Sequence, residues 1–322
     1  MMHRLGLPLF FQYLVFLLVK LLETALCALP ERAANSLGRF LGRLGFLLFP
    51  DRRKAAIENL TIAFGKEQSR DWIIRTARKS FEHLGLLGVE FFRIRHWSEE
   101  DMASRIILEG KQAFDLAMLP GNDGIVLLNS HFGCFEVSAA TIKHLGVRLN
   151  LVMTPLRNPF ISRYMFTRAG KDTGIRTFPH KGVVKEMISR LLQGEMLACL
   201  ADQRGDAERG IFVNYFGTPA PANEVFAKMA IEGKARILPL CTYRLEDGRY
   251  RSIFGEEIHL HLTGDVRQDL INISQQFHDK FEEWIRMDPT QGFWVQRKWR
   301  RKQSRRRRKL AKTLNSKPAG EK

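Results

Sequence analysis

Cysteine is scarce in this 322-residue sequence. Its four cysteines, Cys27, Cys134, Cys199 and Cys241, are scattered and no C-x-x-C pair occurs. That pattern argues against a disulfide framework or a paired-cysteine zinc site and fits a reducing compartment. Neither a P-loop nor a G-x-G-x-x-G follows any apolar run, so nucleotide binding has no support. Internal repeats and long low-complexity linkers are missing as well. Acid is absent from one place: residues 297–312 hold eleven Lys/Arg and no Asp or Glu, and without them the net charge falls from +17 to +6. A terminal block of like charge repels itself and seeks an anionic surface, whether lipid, nucleic acid or an acidic carrier protein. At a bilayer each such residue contributes roughly 1 kcal/mol.

What is present is apolar. Hydrophobic residues make up 45% of the chain, enough for a sizeable core and too many for a disordered protein. Residues 5–19 carry no charge, and the apolar stretch reaches about 25 residues if Lys20 and Glu23 are tolerated, which is long enough to span a bilayer. Those two lie three apart on one helical face, where they can pair. A cleaved signal peptide is the rival reading, because an ALCA-like site follows. The cluster Arg32, Arg39, Arg43, Arg52, Arg53 and Lys54 outweighs Arg4 on the other flank, so the positive-inside rule leaves the body in the cytoplasm. Residues 34–49 read as a helix on the membrane surface or, equally, as an ordinary core helix. Residues 51–95 are helical by spacing, with Ser69 as a cap of their second helix.

Further along, short apolar runs (124–130, 149–153, 195–202, 235–244, 249–254) alternate with helical patterns at 133–145 and 181–193, and 270–286 reads as a late helix. Such alternation predicts an α/β fold, a mixed sheet covered by helices. The simplest partition is an N-terminal membrane anchor over 1–30, one catalytic domain over 31–300 and a basic tail over 301–322.

The segment Asn129-Ser130-His131-Phe132-Gly133-Cys134-Phe135-Glu136 carries the strongest chemical signal. An apolar strand delivers a histidine at its carboxyl end, where α/β sheets place ligands and catalytic groups. Histidine takes a proton near neutral pH, and does so best when a carboxylate fixes its tautomer and stabilises the imidazolium. On one continuous helix a five-residue spacing turns His131 and Glu136 about 140° apart. The pair therefore works only if His131 precedes the helix and the chain turns between them, which Gly133 permits. By spacing alone the histidine is equally a satisfied core or surface residue.

SHFGCFE resembles the His-x4-acid signature of the glycerolipid and lysophospholipid acyltransferase superfamily, and its glutamate form is similar to the bacterial lipid A late acyltransferases. Other segments agree: RRKAAIENLTIAFGKE (52–67), TPLRNPF (154–160), CLADQRG (199–205), IFVNYFGTPAPAN (211–223) and WVQRKWR (294–300) each resemble a block of that family, in order. Tyr215 stands where Phe is usual, Asn223 where Thr is common, and Gln296 at the closing histidine position, which makes the closing segment the weakest match.

The resemblance implies a glycerolipid acyltransferase-like fold, with His131 as general base and Glu136 as its orienting partner. The base deprotonates an acceptor hydroxyl, which attacks an acyl thioester. No cofactor is implied. The donor is acyl carrier protein and the acceptor a lipid A precursor, at the cytoplasmic face of the bacterial inner membrane. Another glycolipid, such as a phosphatidylinositol mannoside, or a lysophospholipid fits the same motif. Arg157 is implied as an acceptor- or phosphate-binding residue; the bland alternative is a loop arginine. Asp202 and Gln203 follow a very apolar strand, a placement that suits a site carboxylate or a simple cap, and Arg204 adds a phosphate contact or lies on the surface. Cys134 sits inside the motif, but a small buried thiol is common. Backbone N–H groups at the helix start near Gly133 are candidates for the oxyanion stabiliser. Phe212, Tyr215 and Phe216 line an acyl groove or pack in the core. His259 and His261 alternate on an expected strand but lack a third metal ligand. The basic tail keeps one remote alternative open, a membrane-tethered nucleic-acid-binding protein; on the leading reading no nucleic acid is expected.

Overall fold

The structure is a computed structural model that describes residues 8–119, 124–170, 174–208 and 210–299. Four helices open the chain: α1 (Leu9–Ala28), α2 (Glu31–Leu48), α3 (Pro50–Phe64) and α4 (Arg70–Arg93). An alternating region follows: α5 (Glu99–Arg105), β1 (Ile106–Glu109), α6 (Lys111–Ala117), β2 (Ile125–Asn129), α7 (Phe135–His144), β3 (Leu149–Met153), α8 (Pro159–Gly170), β4 (Ile175–Pro179), α9 (Val184–Leu191) and β5 (Met196–Leu200). The chain ends with β6 (Ile211–Tyr215), β7 (Thr218–Ala222), α10 (Val225–Glu232), β8 (Arg236–Arg244), β9 (Tyr250–Phe254) and α11 (Val266–Met287). The basic tail lies outside the described residues.

Seven strands form one mixed sheet in the order β1-β9-β8-β2-β5-β3-β4, in which only β8 and β9 run antiparallel. β2 (IVLLN) is buried at every position because it lies mid-sheet with both faces covered. One core lies on the face that carries Val126, Leu128, Phe277 and Phe281, and a second on the face of Ile125, Leu127, Leu149 and Leu238. The expected α/β fold with its mixed sheet is therefore observed. β1 and β4 were not expected from the sequence. Nor was the β6–β7 hairpin, whose two-residue turn puts Phe216 and Gly217 at φ 52° and 67°, the left-handed pair a tight hairpin uses. His259 and His261 do not alternate on a strand: they sit in irregular, exposed chain after a single bridge at Ile258.

Ser69 caps α4, accepting from the Trp72 N–H at 3.3 Å, as its sequence position indicated. α2 combines the two readings of residues 34–49. Ala34, Gly38 and Gly42 are buried against α4, while Phe40, Leu41, Leu44, Leu47 and Leu48 face outward. The helices meet backbone to backbone: a Cβ on Gly42 would stand 2.2 Å from the Phe81 carbonyl oxygen, and one on Gly85 2.0 Å from that of Gly38. α1 is the one helix among the described residues long and apolar enough to cross a membrane. Its Lys20 and Glu23 do pair, at 3.7 Å.

Candidate active site

The register of the parallel sheet builds the site. Asn129 at the end of β2 lies opposite Leu200 at the end of β5, and the Ala201 N–H donates to the Asn129 carbonyl at 3.1 Å. The next residues out, His131 and Asp202, therefore emerge side by side although 71 positions separate them. Asp202 grips His131 twice. Its Oδ2 accepts the His131 backbone N–H at 3.1 Å, and its Oδ1 lies 2.7 Å from the ring Nδ1. Burial pushes the Asp202 carboxyl upward, but the His131 ring, its hydrogen bonds and the Lys298 charge outweigh burial and hold it below the usual range. An ionised carboxylate can only accept, so Nδ1 carries the proton and Nε2 keeps its lone pair. Burial lowers the His131 pKa, yet the charge and hydrogen bond of Asp202, with the charge of Glu136, leave it raised. The ring stacks on Phe293 at 5.2 Å between centroids and meets Phe135 edge-on at 5.3 Å.

Glu136 occupies the first turn of α7. It acts on His131 through its charge; the hydrogen-bonded partner is Asp202. Burial raises the Glu136 carboxyl against the opposing charges of Arg95 and His131. His131 precedes α7, and the chain turns between them at Gly133, which has φ +62°. A Cβ there would stand 2.1 Å from the Thr242 carbonyl oxygen, so only glycine fits. The loop amides are already occupied: Gly133 N–H donates to the Gln291 carbonyl at 3.0 Å and Cys134 N–H to that of Thr242 at 2.7 Å. These two are thus not free to stabilise an oxyanion. Cys134 is fully buried, and burial pushes its thiol pKa well up, which leaves it inert as a nucleophile.

Beneath the loop lies a charged knot. Arg244 donates from Nε to Glu90 Oε1 at 2.9 Å and also pairs with Oε2, while the Tyr250 hydroxyl donates to the same carboxylate. His83 receives the Arg244 guanidinium at Nδ1 (3.2 Å) and donates from Nε2 to the Gly133 carbonyl at 3.0 Å. Burial, then the Arg244 charge, lowers the His83 pKa to about 3, so the ring is neutral and this assignment holds.

The closing segment backs the dyad. Lys298 is buried and donates to the carbonyls of Asp202 (2.7 Å) and Gln203 (3.4 Å) and to His278 Nε2 (2.9 Å). Burial lowers its pKa to about 8 even with the Asp202 charge beside it. Asn59, from the early NL block, donates to the carbonyls of Trp294 and Gln296 and so ties the first motif to the last. A small cavity behind the dyad is lined by Ser130, Asp202, Tyr215, Lys298 and neighbouring aromatic rings.

The remaining expected residues spread along the same carboxyl edge. Arg157 is exposed just after β3, before Asn158, whose side chain caps α8. Gln203 is exposed, and Arg204 is partly buried and bridges Ala222 through its backbone. Tyr215 and Phe216 pack in the core, whereas Phe212 is exposed. Lys298, Phe293 and the knot escaped the sequence reading. Only the family likeness of the closing segment pointed toward Lys298.

A sequence profile described as bacterial lipid A biosynthesis acyltransferase matches residues 3–301. The chain is 24% identical over 272 residues to a lipid A biosynthesis acyltransferase of Haemophilus influenzae, covering 83% of this chain and 80% of that one. It is 25% identical over 228 residues to a phosphatidylinositol mannoside acyltransferase of Mycobacterium tuberculosis, covering 68% and 69% of the two chains. With the match running through every motif block and the dyad between them, the chain belongs to the bacterial lipid A biosynthesis acyltransferase family.

Proposed function

We propose that this acyltransferase moves a fatty acyl chain from the thioester of acyl carrier protein to a hydroxyl of a lipid A precursor at the cytoplasmic face of the inner membrane. The observation that carries the reading is the His131–Asp202 pair at adjacent strand ends, with Nε2 left as an open base. His131 Nε2 takes the proton of the acceptor hydroxyl as its oxygen attacks the thioester carbonyl. The tetrahedral intermediate collapses, the C–S bond breaks, and the imidazolium returns the proton to the departing thiolate. Ester and free carrier thiol result, and no covalent acyl-enzyme forms. Asp202 holds the tautomer and stabilises the imidazolium, and the charge of Glu136 favours the imidazolium as well. No step calls for a cofactor. Arg157, Gln203 and Arg204 lie on the edge where an anionic acceptor would bind, and a guanidinium forks onto phosphate well. The partition is an anchor over 1–30, a catalytic domain over 31–300 and a basic tail over 301–322 that adheres to anionic membrane and to the acidic carrier.

The test is transfer by membrane fractions, with wild type beside His131→Ala, given acyl-carrier thioesters and a tetra-acylated, Kdo-bearing lipid A precursor. Histidine-dependent addition of one acyl chain is expected. No product from folded, membrane-bound wild type would overturn the acceptor assignment. The mycobacterial relative favours one second reading, the same chemistry on a mannosylated phosphoinositide, and that lipid belongs in the same assay.

A further inference from the structure

We infer that α1 docks along the membrane plane as part of the catalytic body and does not cross the bilayer as a detached tether. The inference rests on the membrane-lipid reading above and specifies how the protein meets that lipid. One stripe of α1, Gln12, Phe16, Lys20, Glu23 and Cys27, faces the body at helical three- and four-residue spacing. Each position on it is held. The Gln12 carbonyl accepts from Asn158 Nδ2 at 2.7 Å. The Phe16 ring packs on Tyr164 of α8 at 5.7 Å. Lys20 donates to the Tyr164 hydroxyl at 2.9 Å. Glu23, 2% exposed, accepts from that hydroxyl at 2.5 Å and lies 3.2 Å from His96 Nε2. The Cys27 thiol reaches the Phe92 carbonyl at 3.7 Å, and Arg93 donates to the carbonyls of Leu26 and Leu29 at 2.6 and 2.7 Å.

From Gln12 to Cys27 the clasp runs about 22 Å at the helical rise. That is most of the roughly 30 Å hydrocarbon thickness. If α1 stood across the bilayer, α8 would enter with it, bringing the exposed Arg163, and the Glu23, His96 and Arg93 cluster would follow. Lipid does not accept that much charge. Lying in the plane, α1 keeps this polar stripe on protein and turns Leu14, Leu18, Leu21 and Leu22, all exposed, toward acyl chains. α2 continues the chemistry with exposed Arg32 and Arg39 beside exposed Phe40, Leu44 and Leu47, the mixture that binds an anionic lipid surface. The clasp also borders the active site. Arg95, whose charge acts on Glu136, reaches Met165 of α8 at 3.4 Å.

The test places single nitroxide-labelled cysteines at Phe10, Leu14, Leu18 and Leu21 of the full chain, in a Cys27→Ser background. The protein is bound to vesicles of phosphatidylethanolamine and phosphatidylglycerol. Depth is read by paramagnetic relaxation with oxygen against a water-soluble nickel complex. Four shallow, similar depths are expected. A progressive change of about 16 Å from Phe10 to Leu21, the helical rise along a spanning helix, would overturn the inference. Failure of the protein to bind vesicles would overturn it as well. Transfer assayed in detergent micelles with the same variants keeps the acyltransferase reading separately testable.

Discussion

Two charged clusters flank the same five-residue loop, 130–134, and are built oppositely. Under it, Glu90, Arg244, Tyr250 and His83 form a closed knot in which the carboxylate, the guanidinium and both nitrogens of the ring are engaged. Above it, His131 is gripped by Asp202 at Nδ1 and at the backbone while Nε2 stays open. The knot is a support, since a buried charge with every partner in place has no proton to exchange. On the proposed mechanism the dyad is the reagent, because the Nε2 lone pair is open while Asp202 holds the rest of the ring. The loop lies between them, held from below by the knot and presenting the open Nε2 above.

If that contrast is right, substitutions in the two clusters separate activity from stability. The largest effect falls at the dyad. His131→Ala is expected to lower transfer about 10²–10⁴-fold with the thermal midpoint unchanged. Asp202→Asn should approach that loss and move the acidic limb of the kcat/KM profile to lower pH. The sign follows from the geometry: Asp202 raises the His131 pKa, the base works only when unprotonated, and without the carboxylate it deprotonates earlier. An acidic limb that stayed in place would contradict the Asp202 assignment. Arg244→Met should do the reverse, destabilising by about 3–5 kcal/mol because Glu90 is left buried and unpaired. Its surviving folded fraction should keep the wild-type pH profile, as read by denaturant unfolding beside single-turnover rates.

Lys298→Gln lies between the two clusters in kind and below them in size. It removes charged hydrogen bonds worth about 1.5–3 kcal/mol. It should cut kcat about tenfold with KM little changed, because the Asp202 and Gln203 carbonyls lose their anchor. Lys298→Arg should recover part of that loss. A change in KM alone would move Lys298 from the support of the dyad to substrate binding. The smallest effect is expected at Ser69→Ala, about 1 kcal/mol of stability from a lost helix cap and no change in turnover.

Much of this was legible in the sequence where local pattern decides. The five short apolar runs of the central region became β2, β3, β5, β8 and β9; Ser69 caps α4; Gly133 turns the chain before α7; Lys20 meets Glu23. Spacing could not reveal which carboxylate touches His131. Glu136 is near in sequence and Asp202 is 71 positions away, and only the β2–β5 register brings the latter within 2.7 Å. Lys298 was hidden because its block matched the family least well at Gln296. The structure shows that this block contributes carbonyls to Asn59 and an ammonium to the dyad, neither of which depends on position 296 being histidine. β1 and β4 are short edge strands whose burial is only partial, so no strong alternation marked them.

The glycine seam between α2 and α4 has a consequence for where this protein can live. Helices joined by bulky apolar side chains depend on water to press them together, and that pressure vanishes among acyl chains. Gly38, Gly42 and Gly85 instead let two backbones touch, and dispersion across such a contact does not depend on the surrounding solvent. The joint is therefore indifferent to its medium: it holds when α2 faces water and equally when its outer row of leucines sinks into lipid. On the membrane-lipid reading proposed above, this hinge-free shoulder stays rigid at the boundary between water and lipid.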